Sequence, residues 1–141
     1  MTGVTVHASC VAIDGRAVLL AGPSGSGKSD LALRLIDRGA VLVSDDYTEL
    51  MPDRGRLLAS PPEPIAGRIE VRGVGILERE WIGGVSVCLL VDLSRAADRL
   101  PEPETRMLAG VAIPVIGLSA LEASAAIKVE AALNLLGLDP S

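Results

Sequence analysis

The chain has no phenylalanine, one tryptophan (Trp81) and one tyrosine (Tyr47) among 141 residues. Single-stranded nucleic acid is held by stacking rings along a basic groove. The groove is missing as well: 13 Lys and Arg face 18 Asp and Glu, the net charge is −5, and the basic residues are dispersed. No nucleic-acid partner is expected. The same shortage of rings means that a bound nucleotide base must rest on aliphatic side chains or backbone, which predicts weak base selectivity. Long apolar runs are also absent; none approaches the ~18–20 residues that span a bilayer, so no membrane partner is expected. The stretch Met1 to Val11 has no basic segment and sets His7 and Ser9 among its apolar residues. It does not read as a signal peptide. Cysteine is scarce, and Cys10 and Cys88 both sit in apolar stretches. They are expected as small core residues rather than as a disulfide or metal framework. A cytoplasmic location is the default expectation.

What the chain does have is apolar substance: 49% of its residues are hydrophobic. That suits one compact domain over residues 1–141. The β-branched and small residues of Val4–Ile13 predict a strand, Asp14–Gly15 a hairpin turn, and Arg16–Ala21 a second, buried strand. Leu31, Leu33, Leu35 and Ile36 predict a helix over Ser29–Arg38 that packs on a sheet, ended by Gly39. Ala40–Val43 reads as a short strand. Glu49–Ala59 reads as a hairpin around Pro52–Gly55, Ser60–Pro64 as a loop, and Ile69–Leu77 as a strand interrupted by Gly73 and Gly75. Val85–Val91 predicts an apolar strand ending at Asp92. Arg95–Glu104, with Pro101 and Pro103, reads as a surface connection. Val111–Ile116 reads as a last strand and Leu121–Leu136 as the clearest helix. A helix between two strands with a short return implies a parallel pair, and the hairpins add antiparallel strands. The expected fold class is α/β with a mixed sheet.

Gly22, Pro23, Ser24, Gly25, Ser26, Gly27, Lys28 and Ser29 match the phosphate-binding pattern G-x-x-x-x-G-K-[ST] in full. The glycines let the backbone curl so that several N–H groups face one hollow. That hollow opens a helix, whose N-terminus favours anions. Lys28 supplies a point charge for the β- and γ-phosphates, and the Ser29 hydroxyl suits magnesium. A Gly/Ser turn alone is common, but here an apolar strand precedes it and an amphipathic helix follows. The pattern predicts a P-loop that binds ATP with Mg2+.

Asp45 and Asp46 end the strand after the helix. A carboxylate closing an apolar strand resembles the element that holds magnesium or positions the nucleophile in P-loop enzymes. Adjacent carboxylates repel, which suits one of them to act as a base. The strand is expected close to the P-loop strand. In Arg68-Ile69-Glu70-Val71-Arg72-Gly73-Val74-Gly75-Ile76, charged and apolar residues alternate, so Arg68, Glu70 and Arg72 share one face. That face is either a solvated row of ion pairs or a part of the site, with Glu70 near the metal and Arg72 near a phosphoryl group. His7, the one histidine, reads by pattern as a strand residue.

His7, the loop Gly22–Ser29, Arg38-Gly39, Asp45-Asp46 and Ile69–Ile76 occur in the order that resembles HPr kinase/phosphorylase, in its C-terminal catalytic domain. The resemblance is good over residues 5–80 and looser beyond. It implies a fold similar to the nucleotide-binding core of phosphoenolpyruvate carboxykinase. It also implies a serine kinase of HPr, the small phosphocarrier protein of the sugar phosphotransferase system, regulating that system and carbon metabolism. Residue by residue, it makes Asp45 the base toward the serine, His7 and Lys28 catalytic neighbours of the phosphates, and Ser29 and Glu70 metal ligands. A homo-oligomer, a hexamer, is implied too. Two departures stand out. The family carries a further N-terminal domain, so the likeness is to a short form whose acceptor is HPr or a relative of it. The family also has an arginine in a Pro-Gly-Arg-Asn-like stretch tied to phosphorolysis, whereas Ile113-Pro114-Val115-Ile116-Gly117-Leu118-Ser119 has none. The reverse reaction is therefore left open. A small-molecule kinase on the same scaffold and a nucleotide sensor without turnover are the alternatives.

Overall fold

The computed structural model describes residues 2–140. Its strands are β1 (Val4–Val6), β2 (Ala8–Ile13), β3 (Arg16–Ala21), β4 (Val41–Ser44), β5 (Thr48–Asp53), β6 (Arg56–Ser60), β7 (Arg68–Val71), β8 (Gly75–Glu78), β9 (Val85–Asp92), β10 (Thr105–Leu108) and β11 (Val111–Gly117). Its helices are α1 (Lys28–Asp37) and α2 (Ala125–Leu136), with a short 3-10 turn at Glu63–Ile65. The α/β class and the mixed sheet are as expected. No helix among the described residues is long and apolar enough to cross a membrane.

Nine strands form one sheet in the order β1-β5-β6-β9-β3-β2-β4, with β11 also on β9 and β10 on β11. Strand β9 is the hub, and all eight of its residues are buried. It runs parallel to β3 along one edge. On the other edge its start pairs with β6 and its end with β11. This burial is why 85–92 reads as a continuous apolar run. Side chains alternate between two cores. Val18, Leu20, Leu89 and Val91 join Leu31, Leu35, Val129 and Leu133 of the helices. Leu19, Val87 and Leu90 join Leu50 and Leu57 on the opposite face. A register shift between Ala17 and Val18 lets Cys88 and Leu89 share one side. Cys10 and Cys88 are both buried and free.

Four expectations need correction. Residues 4–13 are two strands that bend at His7, because β1 pairs with β5 while β2 pairs with β3 and β4. Strands β3 and β4 do point the same way but are not neighbours. Strand β2 lies between them, and the parallel neighbour of β3 is β9. Residues 69–77 fold as a separate two-stranded hairpin rather than one strand. Gly73 and Gly75 adopt φ of 85° and 134°, conformations that favour glycine and reverse the chain there. The C-terminal helix begins at Ala125 rather than Leu121. Arg34 of α1 donates to the carbonyls of Ala120 and Glu122, which keeps 120–122 as a loop against α1. Strand β10 was not expected: it pairs with β11 through Ala109–Gly110, with φ of 48° and 83°.

Candidate active site

Strand β3 feeds the loop Gly22–Gly27, and α1 starts at Lys28. The loop turns on a hydrogen bond from Ser26 N–H to Pro23 O (3.1 Å). Gly25 and Gly27 take φ of 84° and 91°. Lys28 is buried, and its Nζ donates to Gly22 O (2.8 Å) and Pro23 O (3.0 Å). The ammonium is thereby held inside the curve of the loop, at the N-terminus of α1.

The carboxylates that close β4 differ sharply. Asp45 is buried. Its Oδ1 accepts from Ser29 Oγ (2.5 Å) and Ser9 Oγ (3.1 Å), and its Oδ2 accepts from Glu70 N–H (3.0 Å). Buried charge persists only where such partners compensate it. Asp46 is exposed, takes φ of 67°, and has Oδ1 at 2.8 Å from His7 Nε2. The His7 ring stacks on Tyr47, with centroids 5.0 Å apart. Ser9 Oγ also accepts from Asp46 N–H (3.0 Å), so one hydroxyl orients both members of the pair.

These groups share one cleft of about 570 Å³. Ser24, Gly25, Gly27, Lys28, Ser29, Asp45, Asp46, Glu70 and Arg72 all line it. Gly22, Pro23 and Ser26 shape the loop from behind, and His7 reaches the cleft through Asp46. The cleft carries four carboxylates (Asp30, Asp45, Asp46 and Glu70) and two cations (Lys28 and Arg72). Ala120 and Leu121 close one side. The sequence reading missed Ser9, whose one signal was a hydroxyl inside a run of buried apolar residues. Ala120 and Leu121 also line the cleft without a signal in the sequence: they lie in the loop before α2, where a helix from Leu121 was expected.

A second polar cluster sits where β9 ends beside β3. Asp92 accepts from Ser94 N–H (3.0 Å), Ser94 Oγ (2.5 Å) and Arg106 (2.9 Å). Burial pushes the Asp92 carboxyl up, but these three donors together overcome it and hold it at about 2. The next residue, Leu93, donates its N–H to Ala21 O (2.7 Å), tying this end of β9 to the entry of the glycine loop.

Comparison with known proteins gives the family. The family model for the HPr Serine kinase C-terminal domain matches residues 2–135. The HPr kinase/phosphorylase of Thermoanaerobacter sp. (strain X514) is 46% identical over 83 residues, 58% of this chain and 27% of that protein. That of Clostridium botulinum (strain Eklund 17B / Type B) is 39% identical over 84 residues, 60% of this chain and 28% of that protein. The match thus spans little more than a quarter of these curated relatives. The solved structure of the Hpr(Ser) kinase/phosphatase from Coxiella burnetii superposes with a TM-score of 0.82 at 28% identity, covering 94% of this chain and 95% of that one. With that model matched over residues 2–135 of its 141, the chain belongs to the HPr serine kinase C-terminal domain family.

Proposed function

We propose that the chain is an ATP- and magnesium-dependent kinase that phosphorylates a serine of an HPr-like phosphocarrier protein. In this reading the Gly22–Ser29 loop is a P-loop, on a fold like the nucleotide-binding core of phosphoenolpyruvate carboxykinase. The observation that carries it is the convergence of Lys28, Ser29, Asp45 and Glu70 on one cleft from three separate parts of the chain. The donor set fits magnesium. A hydroxyl and a carboxylate oxygen already lie 2.5 Å apart, with a second carboxylate on the same cleft. Mg2+ is commonly held by one or two carboxylates plus substrate phosphates. When bound, the ion neutralises phosphate charge that four carboxylates would otherwise repel.

The chain's own residues supply positioning and proton handling. Backbone N–H groups of the loop and Lys28 hold the β- and γ-phosphates. Arg72 offsets charge at the mouth of the cleft. For the base, the geometry favours Asp46 over Asp45, the residue expected from the sequence. The Asp45 oxygens are occupied by Ser29, Ser9 and the Glu70 amide. Asp46 is open, and His7 beside it can share an accepted proton. Asp45 then belongs with Ser29 and Glu70 on the metal side. A homo-oligomer in the cytoplasm, regulating the phosphotransferase system, completes the reading on the strength of the resemblance.

The test offers labelled ATP and an HPr-like protein to the wild type and to Asp45→Asn and Asp46→Asn. The wild type should label the protein on serine. Asp46→Asn should keep ATP affinity while single-turnover transfer falls by about 10²–10⁴-fold. Tight ATP binding without labelling would make the chain a sensor or a small-molecule kinase. A large turnover defect in Asp45→Asn with a mild one in Asp46→Asn would return the base to Asp45.

A further inference from the structure

Among the described residues the hairpin β7–β8 pairs with no other strand. Its inner face, Ile69 and Leu77, packs into the core under α1. Its outer face carries Arg68, Glu70, Ile76 and Glu78, since Glu70 pairs with Ile76 and Arg68 with Glu78. Ile76 is 66% exposed and Val74, at the turn, is 72% exposed. A β-branched apolar side chain in the middle of a charged face gains nothing from its own fold. Both sit on the hairpin that delivers Glu70, Val71 and Arg72 to the cleft.

We propose that Val74 and Ile76 are the docking surface for the acceptor protein. They would contact the residues of an HPr-like phosphocarrier that flank its target serine. This rests on the kinase reading above and adds where the acceptor lies. The argument is one of reach. Cross-strand partners have Cα atoms about 4.5–5.5 Å apart, so Ile76 stands that close to the backbone of Glu70, itself on the cleft. An extended chain advances about 3.3 Å per residue. A serine seated in the cleft therefore brings the next one to three residues of its own chain over Ile76 and Val74. A free small molecule has no such flank, whereas a protein acceptor does. Apolar flanking residues would be matched there, with Arg68, Glu70 and Glu78 as a polar rim.

The test is steady-state transfer from ATP to an HPr-like protein with the double variant Val74→Ser/Ile76→Ser. The KM for the acceptor should rise about tenfold or more, while kcat and the KM for ATP stay as in the wild type. Val74→Ile/Ile76→Val, which keeps the apolar surface, should restore the acceptor KM. Both side chains are exposed, and a thermal melt checks that the variants fold. An unchanged acceptor KM in a double variant that labels normally overturns the docking surface and leaves the kinase reading standing. A wild type that labels no HPr-like protein overturns both. A changed sedimentation coefficient with an unchanged acceptor KM makes this face a contact between copies of the chain and overturns the proposal.

Discussion

Ser29 in the first turn of α1 and Asp45 at the end of β4 are joined by a hydrogen bond of 2.5 Å from hydroxyl to carboxylate. The contact crosses the sheet, because β2 lies between β4 and the strand that leads into the glycine loop. Ser9, on that intervening strand, donates to the same carboxylate oxygen and bridges the gap.

A magnesium titration tests this pairing. Ser29→Ala, Asp45→Asn and Glu70→Gln should each raise the magnesium concentration for half-maximal transfer. Asp45→Asn should raise it most, since it removes the charge and leaves one acceptor oxygen where two now serve two hydroxyls and an amide. Ser9→Ala should have a smaller effect of the same sign, because it touches the metal side only through Asp45. A Glu70→Gln titration identical to wild type would return Glu70 to a solvated face.

The glycine loop offers a second test. A Cβ on Gly27 would lie 2.9 Å from the Ala120 Cβ and would sit at φ of 91°, whereas one on Gly25, at φ of 84°, would meet nothing within 4 Å. A left-handed conformation costs a non-glycine residue about 1–2 kcal/mol. In the unliganded protein Gly25→Ala should lose stability by that strain alone. Gly27→Ala should lose more stability, and ATP affinity as well, because Ala120 must move away from the cleft it lines. Denaturant melts and calorimetry with ATP measure the two losses. Equal effects at both positions would mean that the Ala120 contact is soft.

Much of this site was legible because its parts are local. The pattern Gly22–Ser29 carries its own geometry, and its flanking strand and helix follow from side-chain periodicity. The arrangement of β2 between β3 and β4 was not legible. Local pattern shows that a helix returns the chain in the same direction, but it does not show how many strands it crosses. The hairpin at 68–78 was hidden for a related reason: alternation over 68–76 suits one long strand as well as two short ones. Only the positive φ of Gly73 and Gly75 decides between them. The different surroundings of Asp45 and Asp46 depend on Ser9, Ser29 and the Glu70 amide arriving from three elements, which spacing cannot reveal.

Acid stability follows from Asp92. Its carboxyl titrates at about 2 instead of the ordinary 3.8. A depressed folded-state value means that the stabilisation is fully present above about pH 4 and is lost as pH falls toward 2. Linkage puts it at about 2 kcal/mol. Arg106→Met should therefore lower stability at pH 7, by less than that amount because the Ser94 donors remain. The difference between variant and wild type should shrink on acidification to pH 2. Urea melts at both pH values check this. A difference that stays constant with pH would show that Arg106 acts by packing alone.

The direction of the reaction is the last expectation. Phosphorolysis needs inorganic phosphate, a further anion, beside the phosphoryl group. In this cleft the cationic side chains are Lys28 and Arg72, against four carboxylates. The stretch 113–119 carries no arginine. Arg95, which packs at Gly117, and Arg106, which pairs with Ile113, are engaged elsewhere: Arg95 with Glu104 at 2.8 Å and Arg106 with Asp92 at 2.9 Å. Loss of one preorganised charge partner typically costs a factor of about 10²–10³ in rate. Transfer to the acceptor should therefore exceed pyrophosphate release from phosphorylated acceptor and inorganic phosphate by at least about a hundredfold. The converse can be built in. Leu121 lines the cleft and is 90% exposed, so Leu121→Arg should fold normally and bring a third cation to the phosphates. That variant should raise pyrophosphate release more than it raises forward transfer. Rapid phosphorolysis by the wild type would show that Lys28 and Arg72 already suffice. An inert Leu121→Arg would show that charge at that side of the cleft does not reach the incoming phosphate.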